Sequence, residues 1–190
     1  MRIFVAGATG VIGIRLVPLL VAAGHTIAGM TRTPAKADGL RAAGAAPVVC
    51  DVFDRVALTA AVETFAPNLV MHQVTDLPDD VSQIAQFLAA NRRVRSEGTL
   101  NLLAAAAACG VRLLAQSVAW PIPGIEDHDA AVVAAGGTLL RYGKFYGPGT
   151  YHAQAPAPPR IHVDAAAERT MTFLDGPPGV FTIEEDTTRA

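Results

Sequence analysis

The chain has 190 residues, of which 51% are hydrophobic and 17% are charged, and its formal net charge is -2. This length suits one domain, and the hydrophobic fraction suits a folded α/β core rather than a disordered chain. Acidic and basic residues are interspersed, so the sequence carries no electrostatic footprint for binding nucleic acid or an anionic membrane.

The two cysteines, Cys50 and Cys109, lie far apart and outside any metal-like spacing. This pattern argues against a disulfide framework or a zinc site, and we expect buried thiols, a reducing compartment and no metal. The first residues read as a strand entering a glycine loop, not as a charged leader with a long apolar region. The alanine-rich stretch 102–108 is too short to cross a bilayer. We therefore expect a cytoplasmic protein.

The first half of the sequence alternates short apolar runs with helical patterns. We predict strands at 2–6, 26–31, 46–50, 68–73 and 111–117, and helices at 11–23, 34–43, 55–65 and 81–108, the last being one long helix or a pair. Gly24 should end the first helix, and Thr33 should cap the second. Strands separated by helices must be parallel in one sheet with right-handed crossovers. The sequence therefore predicts an α/β protein with a doubly wound parallel sheet, the Rossmann fold.

After Ser117 the pattern is less regular. We predict a helix at 125–135, a strand at 138–142, a proline-rich surface loop at 151–159, a helix at 163–174, a last strand at 179–184 and a frayed tail at 187–190. Asp164 should be the N-cap of its helix. We therefore interpret residues 1–190 as a single compact domain, with a cofactor half at 1–117 and a shortened substrate-side half at 118–190.

The first strand is followed by a loop with the pattern Gly-x-x-Gly-x-x-Gly, at residues 7–13. A glycine loop between a strand and a helix offers a pyrophosphate backbone N–H groups, a favourable helix dipole and no obstructing Cβ atoms. Its place within a βαβ unit strengthens a signal that is weak by itself. We predict that a dinucleotide binds to Gly7, Thr9, Gly10, Val11, Ile12 and Gly13.

No acidic residue ends the second strand, where such a residue would bind a ribose 2′-hydroxyl and select NAD. The sequence instead places Arg32 at the strand end and Lys36 one turn into the next helix. A guanidinium can pair with a 2′-phosphate through two hydrogen bonds, and no acid beside it in the sequence opposes this. We therefore predict NADP as the cofactor, with NAD as the alternative. Two solvated surface cations are the other interpretation.

Further segments carry recognisable patterns besides the glycine loop: Cys50-Asp51-Val52, His72-Gln73-Val74-Thr75, Glu97 to Leu103, Gln116-Ser117 and Arg141 to Gly149. Together they resemble the extended and atypical short-chain dehydrogenase/reductase superfamily, in particular NAD-dependent epimerase/dehydratase-like proteins. The resemblance implies that Asp51 and Val52 contact the adenine. It also implies that His72, Gln73 and Val74 lie along the cofactor and that Ser117 lies by the nicotinamide.

The resemblance fails at the catalytic pair. That superfamily uses a Tyr-x-x-x-Lys pair, in which the ammonium lowers the tyrosine pKa so that the hydroxyl acts as acid or base. The sequence has two lysines, Lys36 and Lys144, and the residues four positions before them are Arg32 and Leu140. The pair therefore occurs nowhere in this sequence.

Other residues are candidates to replace the pair. Lys144 follows a predicted strand at the end where open parallel sheets bind ligands. We expect it to bind an anionic substrate group or to lower the pKa of Tyr146, and a solvated surface lysine is the alternative. His128 and Glu126 are weaker acid or base candidates. The candidate catalytic set is therefore Ser117, Tyr146 and Lys144.

Two functions follow from these observations. The first is an NADP(H)-dependent oxidoreductase, or an epimerase/dehydratase-like enzyme, that acts on a small molecule with non-standard acid and base residues. The second is a cofactor-binding regulatory or redox-sensing protein without turnover, which the missing Tyr/Lys pair favours. We prefer the enzyme, because the cofactor carries the hydride chemistry and Ser117 is retained. Members of the superfamily often form homodimers through paired helices, and the alanine-rich face at 102–108 could serve in this way, but packing within the monomer explains that face equally well.

Overall fold

The computed structural model describes residues 1–185. Nine strands and seven α-helices are assigned within this range. In chain order they are β1 (Arg2–Ala6), α1 (Gly13–Ala22), β2 (Thr26–Thr31), α2 (Ala37–Ala42), β3 (Ala46–Val49), α3 (Arg55–Phe65), β4 (Leu69–His72), α4 (Ile84–Arg93), α5 (Thr99–Ala108), β5 (Leu113–Val118), α6 (Ile125–Ala134), β6 (Thr138–Tyr142), β7 (Lys144–Tyr146), β8 (Arg160–His162), α7 (Val163–Thr170) and β9 (Gly179–Ile183). The predicted tail at 187–190 lies outside the described residues.

The main sheet has the strand order β3-β2-β1-β4-β5-β6-β9, and every neighbouring pair is parallel. The chain first builds outward from β1 to β3, then returns to place β4 on the other side of β1. This reversal creates a crevice at the carboxyl ends of β1 and β4, where open α/β sheets bind ligands. The doubly wound Rossmann fold predicted from the sequence is confirmed.

The sheet is covered on both faces, which explains why its strands read as continuous apolar runs. Ile3 and Val5 of β1 pack into the cluster that contains the buried residues of α1 and α7. Phe4 and Ala6 point the other way, into the cluster formed with α3 and α5. All four side chains are fully buried. Burial on both faces fixes β1 at the centre, with the glycine loop at its carboxyl end.

The helical region predicted at 81–108 contains α4 and α5, joined without a break by a π-helical turn at Val94–Gly98. A π turn holds one extra residue and is often found at functional sites. Val94, Arg95 and Gly98 of this turn are buried. A Cβ atom on Gly98 would lie 3.3 Å from a methyl carbon of Val52, so the turn packs closely against the segment that follows β3.

Two of the three residues predicted as helix caps hold the expected positions. Gly24 has a φ of +82° and ends α1 as expected. Thr33 holds the N-cap position of the 3-10 turn that leads into α2, with Pro34 directly after it, although its side chain makes no capping hydrogen bond. Asp164 is not the N-cap of α7. His162 holds that position and accepts the Asp164 N–H, while the Asp164 carboxylate pairs with Arg15 Nε at 2.5 Å.

A two-stranded parallel sheet, formed by β7 and β8, was missed by the sequence analysis. The proline-rich loop at 151–159 connects the two strands. Gly143 precedes β7, and a Cβ atom there would lie 2.6 Å from the Arg160 nitrogen, so only glycine allows the two segments to approach.

Within residues 1–185, no helix combines the length and the apolar character needed to cross a membrane.

Candidate functional site

A cavity of about 720 Å³ opens at the carboxyl ends of the central strands. It runs from the glycine loop to the segments after β5 and β6, where Trp120 and Tyr151 form part of its wall. Most of the predicted site residues line it: Gly7, Thr9, Gly10, Val11, Ile12, Arg32, Lys36, Asp51, Val52, Gln73, Val74, Ser117 and Lys144. Gly13, His72 and Tyr146 are not among the lining residues. Thirteen of the sixteen predicted site residues therefore line the cavity, and the exceptions are one glycine of the loop and two side chains.

The three glycines of the loop have different roles. Gly7 has a φ of +84°, and a Cβ atom there would lie 2.5 Å from the Gln73 carbonyl. A Cβ atom on Gly13 would collide with the Gly7 carbonyl oxygen. These two glycines therefore allow the close packing of β1, β4 and α1. Gly10 lies on the cavity wall, where a Cβ atom would meet the Gly7 oxygen at 3.3 Å, so its missing side chain leaves room for a ligand.

Arg32 is paired with an acidic residue from another part of the chain. Its guanidinium donates to both carboxylate oxygens of Asp76, at 2.7 and 3.2 Å. Asp76 follows β4, and its backbone N–H donates to Asn91. The hydrogen bond to Asp76 raises the pKa of Arg32, against the opposing effect of burial. The sequence analysis did not predict this ion pair, because the acid comes from the segment beyond β4 and not from the end of β2.

The segment after β3 forms the wall opposite the glycine loop. Val52 is buried, and its carbonyl oxygen accepts a hydrogen bond from Asn101 Nδ2 at 3.0 Å. The exposed Asp51 accepts the Phe53 N–H at 3.0 Å, which holds the turn. Both residues line the cavity, as the resemblance implied for adenine contacts. Whether they touch an adenine stays a prediction.

His72 belongs to a buried chain of hydrogen bonds instead of the cavity. The Val74 N–H donates to His72 Nδ1, and His72 Nε2 lies 3.1 Å from Thr99 Oγ1. Thr99 Oγ1 lies 2.8 Å from His128 Nδ1, and His128 Nε2 lies 3.0 Å from the Gln116 carbonyl. A carbonyl can only accept, so His128 donates from Nε2 and accepts the Thr99 hydroxyl at Nδ1. The hydroxyl oxygen is then free to accept from His72 Nε2.

This assignment leaves both imidazoles neutral. Burial lowers the pKa of His72 well below its usual value, and the nearby His128 and Arg95 lower it further. Burial also lowers the pKa of His128, with Arg95 contributing, against hydrogen bonding to Gln116. The predicted placement of His72 along the cofactor is therefore wrong. As the last residue of β4, it points into the packing between the sheet and the helices.

Ser117 lies at the end of β5 and faces the cavity. Its hydroxyl donates to Asp129 Oδ1 at 2.6 Å, and Asp129 Oδ2 accepts from Arg141 Nε at 2.9 Å. Because its proton is held by a carboxylate, Ser117 Oγ presents lone pairs to the cavity. Asp129 is not among the candidate residues that the sequence indicated. Its pairing with Ser117 depends on α6 packing against β5.

The side chains of Lys144 and Tyr146 contact different parts of the protein. Lys144 lines the cavity, and its Nζ lies 3.4 Å from the Ala157 carbonyl oxygen. The Tyr146 hydroxyl donates to Glu185 instead, and this hydrogen bond raises the Tyr146 pKa. The expectation that Lys144 lowers the pKa of Tyr146 is therefore wrong, because the carboxylate beyond β9 is the group in contact with the phenol.

Two buried polar groups near the cavity have no hydrogen-bond partner within residues 1–185: the amide of Gln73 and the Nε atom of Arg95. Both residues line the cavity.

Across the same range, no cluster of three or more His, Cys, Asp or Glu side chains has the arrangement to hold a metal ion.

Comparisons with known proteins give the following relatives. The sequence profile of the NAD dependent epimerase/dehydratase family matches residues 3–128. A 3-diazoavenalumate denitrifying reductase from a Streptomyces species is 37% identical over 184 residues, which cover 81% of this chain and 59% of the relative. The chain therefore spans less than two thirds of that reductase. An uncharacterized protein from Schizosaccharomyces pombe is 49% identical over 49 residues, covering 26% of this chain and 17% of that protein.

Solved structures share the fold. The UDP-glucose 4-epimerase of Thermus thermophilus, solved with NAD, has a TM-score of 0.78 and 21% identity, and the match covers 97% of this chain and 78% of the epimerase. The UDP-glucose 4-epimerase of Thermotoga maritima, solved with UDP-glucose, has a TM-score of 0.80 and 17% identity, with 97% and 77% covered. At these identities the likeness shows the fold alone. The profile match over residues 3–128, on a fold of this kind, shows that the chain belongs to the NAD dependent epimerase/dehydratase family.

Proposed function

We propose that the protein is a reductase in which a nicotinamide dinucleotide and a small substrate share the cavity. One observation carries the proposal: the glycine loop and Ser117, at the ends of β1 and β5, line one continuous cavity of about 720 Å³. The loop fits a pyrophosphate, because Gly10 leaves space above backbone N–H groups at the start of α1. The epimerase from Thermus thermophilus, which shares this fold, was solved with NAD.

The residues beside Ser117 favour a reaction that needs no acid from the protein. Reduction of a carbonyl group generates an alkoxide, which an acid must protonate. Here the Ser117 proton is held by Asp129, and the Tyr146 pKa is raised by Glu185. Neither hydroxyl is arranged as a good acid. An acceptor that can take hydride without receiving a proton from the protein suits this site better.

An aryl diazonium group is such an acceptor, because it is cationic and the hydride neutralises it. The similar Streptomyces protein, which acts on a compound with a diazo name, is a 3-diazoavenalumate denitrifying reductase. Hydride joins the carbon atom of a diazonium substrate while the carbon–nitrogen bond breaks. The electron pair of that bond leaves with N2, a neutral gas that requires no proton. When bound, the reduced cofactor would supply the hydride and become oxidised. We propose a diazo-bearing carboxylate as the substrate class, since the name of the relative's substrate denotes a carboxylate.

The test uses NADPH and an aryl diazonium carboxylate, 4-carboxybenzenediazonium. We expect protein-dependent oxidation of NADPH with one N2 released for each NADPH consumed. A Gly10→Val variant measures the uncatalysed background, because it should not bind the cofactor. NADPH binding without turnover of this compound, or of a panel of small carbonyl compounds, would contradict the proposal. That outcome would favour the regulatory or redox-sensing alternative, which the missing Tyr-x-x-x-Lys pair supports.

We also propose that NADP(H) is preferred to NAD(H), as Arg32 and Lys36 on the cavity wall suggest. Asp76 competes with a 2′-phosphate for the Arg32 guanidinium, so Asp76→Asn should tighten NADPH binding about three- to tenfold and leave NADH binding unchanged. Arg32→Asp should reverse the preference. Calorimetry at one salt concentration measures both affinities. Equal NADPH and NADH affinities in the parent and in Asp76→Asn would show that Arg32 does not contact a 2′-phosphate.

A further inference from the structure

Arg95, in the π turn between α4 and α5, is a buried cation that forms no ion pair with any other residue of the described range 1–185. Its side chain lines the cavity, and the residue is only 7% exposed. Its Nε atom is buried without a hydrogen bond, and within residues 1–185 its guanidinium forms no ion pair. Burial lowers the pKa of Arg95, with Asp129 acting in the opposite direction.

A half-buried arginine with a structural role looks different in this protein. The Arg112 guanidinium donates to the Thr138 hydroxyl at 2.8 Å and to the carbonyl oxygens of Phe173, Leu174 and Gly176. Those bonds connect the start of β5 to the end of the α7 region. Leaving a buried guanidinium unpaired costs several kcal/mol, so a structural arginine is expected to be satisfied in this way. Arg95 does not meet that expectation.

The charged and titratable groups around Arg95 do not neutralise it. Asp129 is the acid that attracts it, but its two carboxylate oxygens are engaged by Ser117 and Arg141. His72 and His128, packed behind the turn, are kept neutral. The Arg95 charge therefore remains available to a ligand in the cavity.

The position of Arg95 separates it from the pyrophosphate region. Its electrostatic neighbours, His128 and Asp129, lie on α6 against β5, beside Ser117. The strand order places β5 two strands away from β1 and its glycine loop, a distance of roughly 10 Å. Val94, Val118 and Trp120 supply apolar wall in the same cavity. This part of the cavity combines one planar cation with an apolar surface.

We propose that Arg95 binds the carboxylate of an aryl or unsaturated acid and so fixes the orientation of the substrate. The inference rests on the proposed function only in placing a substrate beside Ser117. A guanidinium presents parallel N–H groups that match a carboxylate, and the pair is strong where water is excluded. A bound carboxylate supplies the anion that Arg95 does not find within residues 1–185.

The test compares cinnamate with its uncharged amide, cinnamamide, as ligands of the NADPH-saturated protein in calorimetry. The parent should bind cinnamate about 10- to 100-fold more tightly than the amide, as expected for a charge-assisted hydrogen bond. Arg95→Met keeps an unbranched side chain that reaches as far as Nε but removes the guanidinium charge, and it should abolish the difference. Arg95→Lys should restore part of it. Arg92→Met, an exposed arginine in the preceding turn of the helix, is the matched control and should behave as the parent.

Two further measurements make the outcome decisive. Arg95→Met should bind NADPH as tightly as the parent, and a loss of NADPH affinity would instead assign Arg95 to a cofactor phosphate and overturn the proposal. In the absence of ligands, this variant should be at least as stable to heat, because it removes an unpaired buried charge. A less stable variant would reveal an internal partner. The proposal would also be overturned if the parent bound cinnamate and cinnamamide equally, or bound neither. The absence of turnover with the diazonium compound would contradict the proposed function but not the role of Arg95.

Discussion

Replacing Gly10 with valine is expected to lower the affinity for NADPH at least about 100-fold, or ~2.7 kcal/mol. The branched side chain would occupy the cavity wall where a pyrophosphate must approach the backbone. The fold should tolerate the change, since the nearest atom to a Cβ at this position is the Gly7 oxygen at 3.3 Å. Calorimetric titration with NADPH measures the affinity, and thermal unfolding measures the stability.

Gly39→Val is the matched control for this experiment. Gly39 lies in α2 at an exposed position, and no atom lies within 4 Å of a Cβ built there. It should keep or slightly raise the stability, because valine has a better helix propensity than glycine, and it should leave NADPH binding unchanged. Changes at Gly7 or Gly13 would be less informative, because their Cβ atoms would collide with backbone and disturb the loop itself. Normal NADPH binding by Gly10→Val would place the cofactor site elsewhere.

Acidification is expected to destabilise the protein below about pH 6.5 because of His72 and His128. Both imidazoles have lowered pKa values in the folded state. In the unfolded chain the two imidazoles would bind protons near pH 6.5, while in the folded chain they remain unprotonated at that pH. The unfolded state therefore binds more protons in this window, and stability falls as the pH falls. Each histidine contributes about 1.4 kcal/mol per pH unit until its folded pKa is reached.

Urea unfolding at about pH 8 and about pH 5.5 measures this loss of stability. Thr99 supplies a matched pair of variants, because its hydroxyl connects the two imidazoles. Thr99→Ser keeps the hydroxyl and should remain close to the parent. Thr99→Val leaves His128 Nδ1 without a donor and His72 Nε2 without an acceptor, and should cost about 2–4 kcal/mol. An unfolding free energy that does not change between these pH values would rule out the neutral buried pair.

The fold was largely predictable because its strongest signals are local. The bounds of β1, β2, α3 and β6 agree with the sequence prediction, as each is a short apolar or periodic run between turn residues. β7 and β8 have three residues each, and their pairing spans the proline-rich loop. Strands of that length have no measurable periodicity, so tertiary contact alone defines them. The cap at Asp164 failed because Arg15, far away in the sequence, takes the carboxylate.

The candidate site could be predicted only where its residues are neighbours in the sequence as well as in space. The glycine loop is contiguous, and thus its position followed from the pattern. Asp76 lies 44 residues beyond its partner Arg32, and no spacing rule connects them. Arg95 stands among other arginines, and the π turn shifts the helical phase by one residue there. A regular 3.6-residue period therefore cannot identify which of these arginines points inward.

The location of Trp120 has a consequence for spectroscopy. The sequence contains one tryptophan, and its indole forms part of the cavity wall. All intrinsic tryptophan emission therefore originates beside the ligand. Indole emission overlaps the absorption band of reduced nicotinamide, so a bound NADPH should take up this energy and emit it at longer wavelength. The protein carries its own optical reporter of cavity occupancy, with no second tryptophan to obscure the signal.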